Sequence, residues 1–125
     1  NLDRVQVIKG WLDSDGKTHE RRWDVAVAGD REIGPDGRSR ESVGNTVNVK
    51  EASFTNAIGA PALSGFWTDP DFAPDERAFY YVRVIEIPTP RWTTIDAKVF
   101  GVEPPEDVPA SIQERAEPSP IWYTP

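Results

Sequence analysis

The sequence predicts a mostly β domain: an antiparallel β-sandwich, immunoglobulin-like in character, with a proline-rich C-terminal tail and one or two short helices. Three observations predict it. Residues 4–12 form a β-branched and aromatic run that a polar turn separates from a second alternating run at residues 20–28. Residues 75–87 are aromatic or β-branched almost throughout. Eight of the twelve prolines lie from Pro88 onward, where proline's missing N–H prevents a regular ladder.

In chain order, Val5, Val7 and Trp11 share one face of the first run, which reads as a strand. Asp13-Ser14-Asp15-Gly16 follows as a turn, and the next strand sets Trp23, Val25 and Val27 against Arg22, Asp24 and Ala26. Together they predict a β-hairpin. Residues 29–45 hold four glycines, a proline and many charges, and predict a long loop. Alternation resumes at residues 46–49 and 52–55 with a slip between Val49 and Ala52, which predicts a bulge or two short strands. Residues 62–68, with Leu63, Phe66 and Trp67, are the next strand candidate.

The run at 75–87 predicts a central strand. Its acidic start leading into Tyr80 and Tyr81 resembles the later strands of immunoglobulin-like sandwiches, where a tyrosine hydrogen-bonds back to the upstream backbone. Residues 94–100 and 110–116 predict short helices, the second with Ser111 as cap and Glu114 three residues on. Residues 119–124 predict a final edge strand.

With 125 residues the chain fits one domain, 1–125. A net charge of −7 and no basic run interleaved with aromatics exclude nucleic acid as a partner. No stretch approaches the ~18 apolar residues of a membrane span. The absence of cysteine removes disulfides, zinc thiolates and thiol nucleophiles. There is no methionine either, so the chain is expected to be a fragment of something longer.

Catalytic and metal constellations fail one by one. His19 is the only histidine, it sits among charges beside a turn, and zinc needs three or four ligands at close quarters. Asp13-Ser14-Asp15-Gly16 lacks the further ligands of a calcium loop. Asp69, Asp71, Asp75 and Glu76 suit a hard cation or a carboxylate pair, but Pro70 and Pro74 among them mark ordinary turn chemistry. No serine lies in a Gly-x-Ser-x-Gly elbow. No catalytic residue, metal ligand or cofactor site is therefore expected in this chain.

Trp11, Trp23 and Trp67 each fall inside a strand pattern and are expected to pack against the sheet, with Tyr80 and Tyr81 as further structural residues. Trp92 differs. It stands in Pro88-Thr89-Pro90-Arg91-Trp92-Thr93-Thr94, a stiff segment presenting an arginine, an aromatic and two hydroxyls together. Such a segment suits a domain interface or an anionic ligand, and equally suits packing on itself.

Residues 77–84 and 88–97, with the endings Ile112-Gln113-Glu114-Arg115-Ala116 and Ser119-Pro120-Ile121-Trp122-Tyr123-Thr124-Pro125, resemble the C-terminal part of a large bacterial family of uncharacterised proteins. Members of that family resemble, in their N-terminal part, the PHP (polymerase and histidinol phosphatase) metallohydrolases. The opening Asp3-Arg4-Val5-Gln6-Val7-Ile8-Lys9-Gly10-Trp11 fits as well, and Glu117-Pro118 departs from the pattern. The resemblance implies a parent several times longer, exported in many members to the periplasm or beyond. Its metal ligands lie upstream, its divalent metal activates water, and its substrate is an ester, a phosphoester first of all. This chain would then be a non-catalytic accessory domain whose partner is the upstream catalytic domain, with Arg91, Trp92, Thr93 and Asp96 at the interface or near the active site. The competing expectations are a stand-alone carbohydrate- or peptide-binding module, marked by several tryptophans exposed in one row, and an assembly element whose tail wraps a neighbour.

Overall fold

The computed structural model describes residues 1–125 and is mostly antiparallel β, with one helix. The strands are β1 (Leu2–Leu12), β2 (Thr18–Val27), β3 (Ala78–Glu86), β4 (Thr89–Pro90), β5 (Ser111–Ile112), β6 (Arg115–Ala116) and β7 (Ile121–Tyr123). The helix α1 (Trp92–Phe100) lies between β4 and β5. The main sheet runs β2-β1-β3-β6, with β7 also on β3, and β4 pairs β5 in a small second sheet.

The β1–β2 hairpin forms where the alternation predicts it. Its turn is fixed by Asp13, whose carboxylate accepts the N–H groups of Asp15 and Lys17, and by Gly16 at φ 76°. The facing of β2 differs from the sequence reading. Val5 pairs with Ala26 and Gln6 with Asp24, so Val25 is an extra residue, a β-bulge. Past a bulge the alternation inverts, and Ala26 and Ala28 are buried with Trp23 in place of Val25 and Val27.

β3 lies between β1 and the tail, as a central strand should. β6 and β7 run along its other edge almost in one register: Val84 and Ile85 face Ala116 and Arg115, and Ala78 to Tyr80 face Tyr123 to Ile121. Pro118 and Pro120 fall between and cannot donate to the ladder, which splits one strand into two. The final edge strand is thus where it was expected, whereas the helix expected at 110–116 is replaced by β5 and β6. Tertiary pairing with Thr89, Pro90, Val84 and Ile85 outweighs the capping pattern there.

Two further strand expectations are corrected. Around the slip at 49–52 there is a tight turn closed by a single Asn48–Ser53 bridge, with Ala52 at φ 44°. Residues 62–68 join no ladder. They belong to a strap, residues 61–76, that crosses one face of the sheet and touches β2, β1, β3 and β7. Gly65 lies against the Val25 backbone, the Trp67 ring is 5.0 Å from Trp23, Asp69 meets Lys9 and Tyr80, and Phe72 packs on Tyr123. A segment lying across strands cannot hydrogen-bond along them, so Trp67 and Phe72 pack on the sheet while Phe66 stays 92% exposed.

Candidate functional site

Residues 89–102 gather the side chains singled out by the sequence. β4 pairs with β5, the Arg91 N–H donates to Ala110 O at 3.0 Å, and the chain turns into α1. Arg91 is the N-cap, at φ −66° and ψ 151°, and contributes no side-chain cap. Inside the helix only Thr94 and Ala97 are buried, the Thr94 hydroxyl donating to Ala110 O at 2.7 Å. Lys98 holds the exposed flank to Glu51, donating to its backbone oxygen and its carboxylate. Gly101 ends the helix at φ 67°, and the Val102 N–H returns to Ala97 O at 2.9 Å, a C-terminal closure that glycine makes without strain.

The consequence is an inverted helix. Residues 92, 95, 96 and 99 share one face by the i, i+3, i+4, i+7 rule, and that face points outward. Trp92 is 65% exposed and Val99 71%, with Ile95 also exposed and Phe100 and Val102 beside them. Asp96 is the exposed charge within this apolar stripe. At the base of the helix Arg91 and Thr93 are half-buried, and the Arg91 Nε and Thr93 Oγ1 atoms are buried without a hydrogen-bond partner. Arg91, Trp92, Thr93 and Asp96 thus lie together on one element.

The other residues named from the sequence lie on the sheet. Trp23 is buried, Trp67 packs tilted between Trp23 and Tyr80, and Trp11 stacks on His19 with centroids 5.1 Å apart. His19 in turn meets the Asp13 carboxylate at 2.7 Å, and that bond, with the turn N–H groups, holds Asp13 below the usual carboxylate range. Neither Tyr80 nor Tyr81 closes on the upstream backbone. The Tyr80 hydroxyl donates to Asp69 at 2.7 Å, and the Tyr81 hydroxyl accepts from Arg83. The tyrosine that bonds to backbone is Tyr123, on Pro74 O at 2.9 Å.

The acidic segment after Trp67 is an anchor. Lys9 is buried at 2% exposure, its ammonium 2.7 Å from Asp69 and 2.7 Å from Asp71 O, while Asp71 also pairs with Arg21. Burial pushes Asp69 up, but the bonds from Lys9, Tyr80 and the Asp71 N–H outweigh it and leave its carboxyl below the ordinary range. Burial and the same carboxylate raise the Tyr80 phenol well above its ordinary value. A second buried network joins Asp3, Arg4, Asp24, Arg31 and Gln113, with Gln6 donating to Asp24 at 2.7 Å. Sequence reading missed Lys9 altogether, because its signal, a lysine on the face of Val7 and Trp11, is only meaningful once Asp69 is known to lie above it. No three His, Cys, Asp or Glu side chains converge as a metal-ligand set.

A family model described as a protein of unknown function (DUF3604) matches residues 1–125. No curated protein and no solved structure matches the chain.

Proposed function

Since the chain belongs to that family, we propose that it is a non-catalytic C-terminal accessory domain of a bacterial PHP-like metal-dependent hydrolase, a phosphoesterase in our reading. It docks on the upstream catalytic domain through the outward face of α1. The observation that carries the reading is the inversion of that helix. A nine-residue helix gains its stability from burying an apolar face, yet here the small residues Thr94 and Ala97 face inward while Trp92, Ile95 and Val99 face out. A second protein surface is the environment those side chains match.

The Arg91 residue stands at the N-terminal base of the same helix and is only half-buried, beside the exposed Trp92. Arg91 would then border the active-site mouth, where a guanidinium suits an anionic substrate. The divalent metal belongs, in this reading, to histidines and aspartates of the catalytic domain, where it lowers the pKa of a bound water. The ligand set of the present chain does not fit such an ion. The sandwich-like, immunoglobulin-like layering is part of this proposal, with the strap of residues 61–76 taken as the second layer over the sheet.

The test uses the full-length protein with Ile95→Lys and Val99→Glu together, and separately Arg91→Ala. The expected results are earlier thermal unfolding of the catalytic domain in the first variant, and slower ester turnover in the second. Unchanged melting and unchanged turnover in both would end this reading.

A further inference from the structure

A second surface lies at the hairpin end of the sheet, around Gly10, Phe79 and Trp122. By register, Gly10, Leu12, Glu20, Phe79 and Trp122 share one face, opposite the strap. Gly10 has no side chain because the Phe79 ring occupies the place of one; a Cβ there would lie 2.3 Å from Phe79 Cζ. The Trp122 ring stands 5.2 Å from Phe79, tilted by 45°, and Trp122 is 72% exposed. The result is a concave, two-walled depression of about 640 Å³, with Leu12 at one side and Glu20 and Arg77 at the rim.

We propose that this depression binds a neutral saccharide, with pyranose rings stacked on Trp122 and Phe79. The volume falls within the ~300 to 1,000 Å³ range of small-molecule sites. Aromatic faces suit the apolar C–H faces of a sugar ring, and the rim supplies the hydrogen bonding that hydroxyls need. Glu20 is acceptor only and Arg77 donor only, while Thr18 and Thr124 add hydroxyls. A protein interface core would be depleted of such charges. Carboxylate and guanidinium balance one another, and the chain's net charge of −7 disfavours an anionic glycan. The walls are held in advance: the Trp122 backbone lies in the β3–β7 ladder, its ring rests against Phe79, and its neighbour Tyr123 is tied by the bond to Pro74. Little ordering accompanies binding. The site does not involve α1, so it stands or falls separately from the docking reading.

The experiment titrates the full-length protein with maltotriose, cellotriose, xylotriose and chitotriose, and with trigalacturonate as the anionic control, following heat and tryptophan fluorescence. At least one neutral trisaccharide is expected to bind at millimolar concentration or below. Trp122→Ala should weaken it about tenfold or more, Glu20→Gln should weaken it less, and Phe66→Ala, at an exposed aromatic outside the depression, should leave it unchanged. Because Trp122 is so exposed, its replacement leaves the fold intact, and circular dichroism checks this. No binding by any neutral sugar, preference for trigalacturonate, or binding indifferent to Trp122 and Glu20 would each overturn the proposal.

Discussion

At the scale of single residues the molecule is held by charges placed where apolar side chains are usual. Lys9, on β1 among Val7, Trp11 and Tyr80, is buried because the strap brings Asp69 over it, and the pair has side-chain exposures of 2% and 7%. Removing one partner of such a pair leaves an uncompensated charge, at a cost of about 3 to 5 kcal/mol. Lys9→Met should therefore lower the melting temperature by roughly 10 to 20 °C for a chain of this size. Lys9→Met with Asp69→Leu should recover part of that loss, since neither charge remains. Thermal unfolding followed by circular dichroism checks both. The same cluster sets the pH dependence. Asp69 has a folded pKa below its unfolded value near ~3.9, so its contribution is complete above about pH 5 and fades as pH falls through 4 and lower. Tyr80 has a raised folded pKa, so its contribution is complete below about pH 10 and is lost as pH rises beyond that. Urea midpoints measured across pH should decline at both ends, with the acid decline shallower in Asp69→Asn and the alkaline decline shallower in Tyr80→Phe.

Among the elements, α1 separates what stabilises this chain from what faces outward. Ile95→Lys with Val99→Glu touches only exposed side chains, so the chain of residues 1–125 should keep its stability to within about 0.5 kcal/mol. Ala97→Leu, on the buried side, should cost about 1 to 3 kcal/mol through overpacking. Denaturant unfolding of the two variants distinguishes the faces directly. How far these elements were legible in the sequence follows from where their determinants lie. The hairpin, β3 and β7 carry their own alternation and turn residues, and so were readable locally. The Val25 bulge was not, because an extra residue leaves the β-branched pattern untouched and shows only in pairing with Val5 and Gln6. Residues 62–68 and 110–116 were misread for a related reason. Their composition permits strand or helix, and contacts distant in sequence, Trp67 on Trp23 and Ser111 opposite Pro90, decide against it. In the candidate site, Arg91 and Trp92 stood out as a stiff polar-aromatic run, and the helix at 94–100 was also visible. That the helix presents its apolar face to the outside was beyond reach, since periodicity gives a stripe and not the side on which its partner lies.

For the whole molecule, the decisive quantity is surface. The chain exposes 8370 Å², whereas a compact monomer of 14.0 kDa exposes about 6,700 Å² by the usual mass scaling. The excess of roughly 1,700 Å² exceeds the ~800 Å² that one partner contributes to a standard protein interface. Only 14 of 125 residues are buried, so the strap, loops and tail cover the sheet while leaving most of their own side chains in solvent. Exposed large apolar side chains cluster on the outer face of α1 and at the Trp122 end of the sheet, with others, Phe66 above all, on the loops. Two kinds of protein carry such surplus, and they behave differently in isolation. A domain that docks on an upstream neighbour has a face shaped for that neighbour and not for itself, so the isolated chain should sediment as a monomer at micromolar concentration while binding a hydrophobic dye. An assembly element has a face complementary to its own copies and should form a defined oligomer that hides the same surface from dye. Ile95→Lys with Val99→Glu should reduce dye fluorescence in the monomer, because it breaks the apolar stripe of α1. An oligomer that persists on dilution and dissociates in that variant would instead assign α1 to contact between copies, and the accessory-domain reading would lose the observation on which it stands.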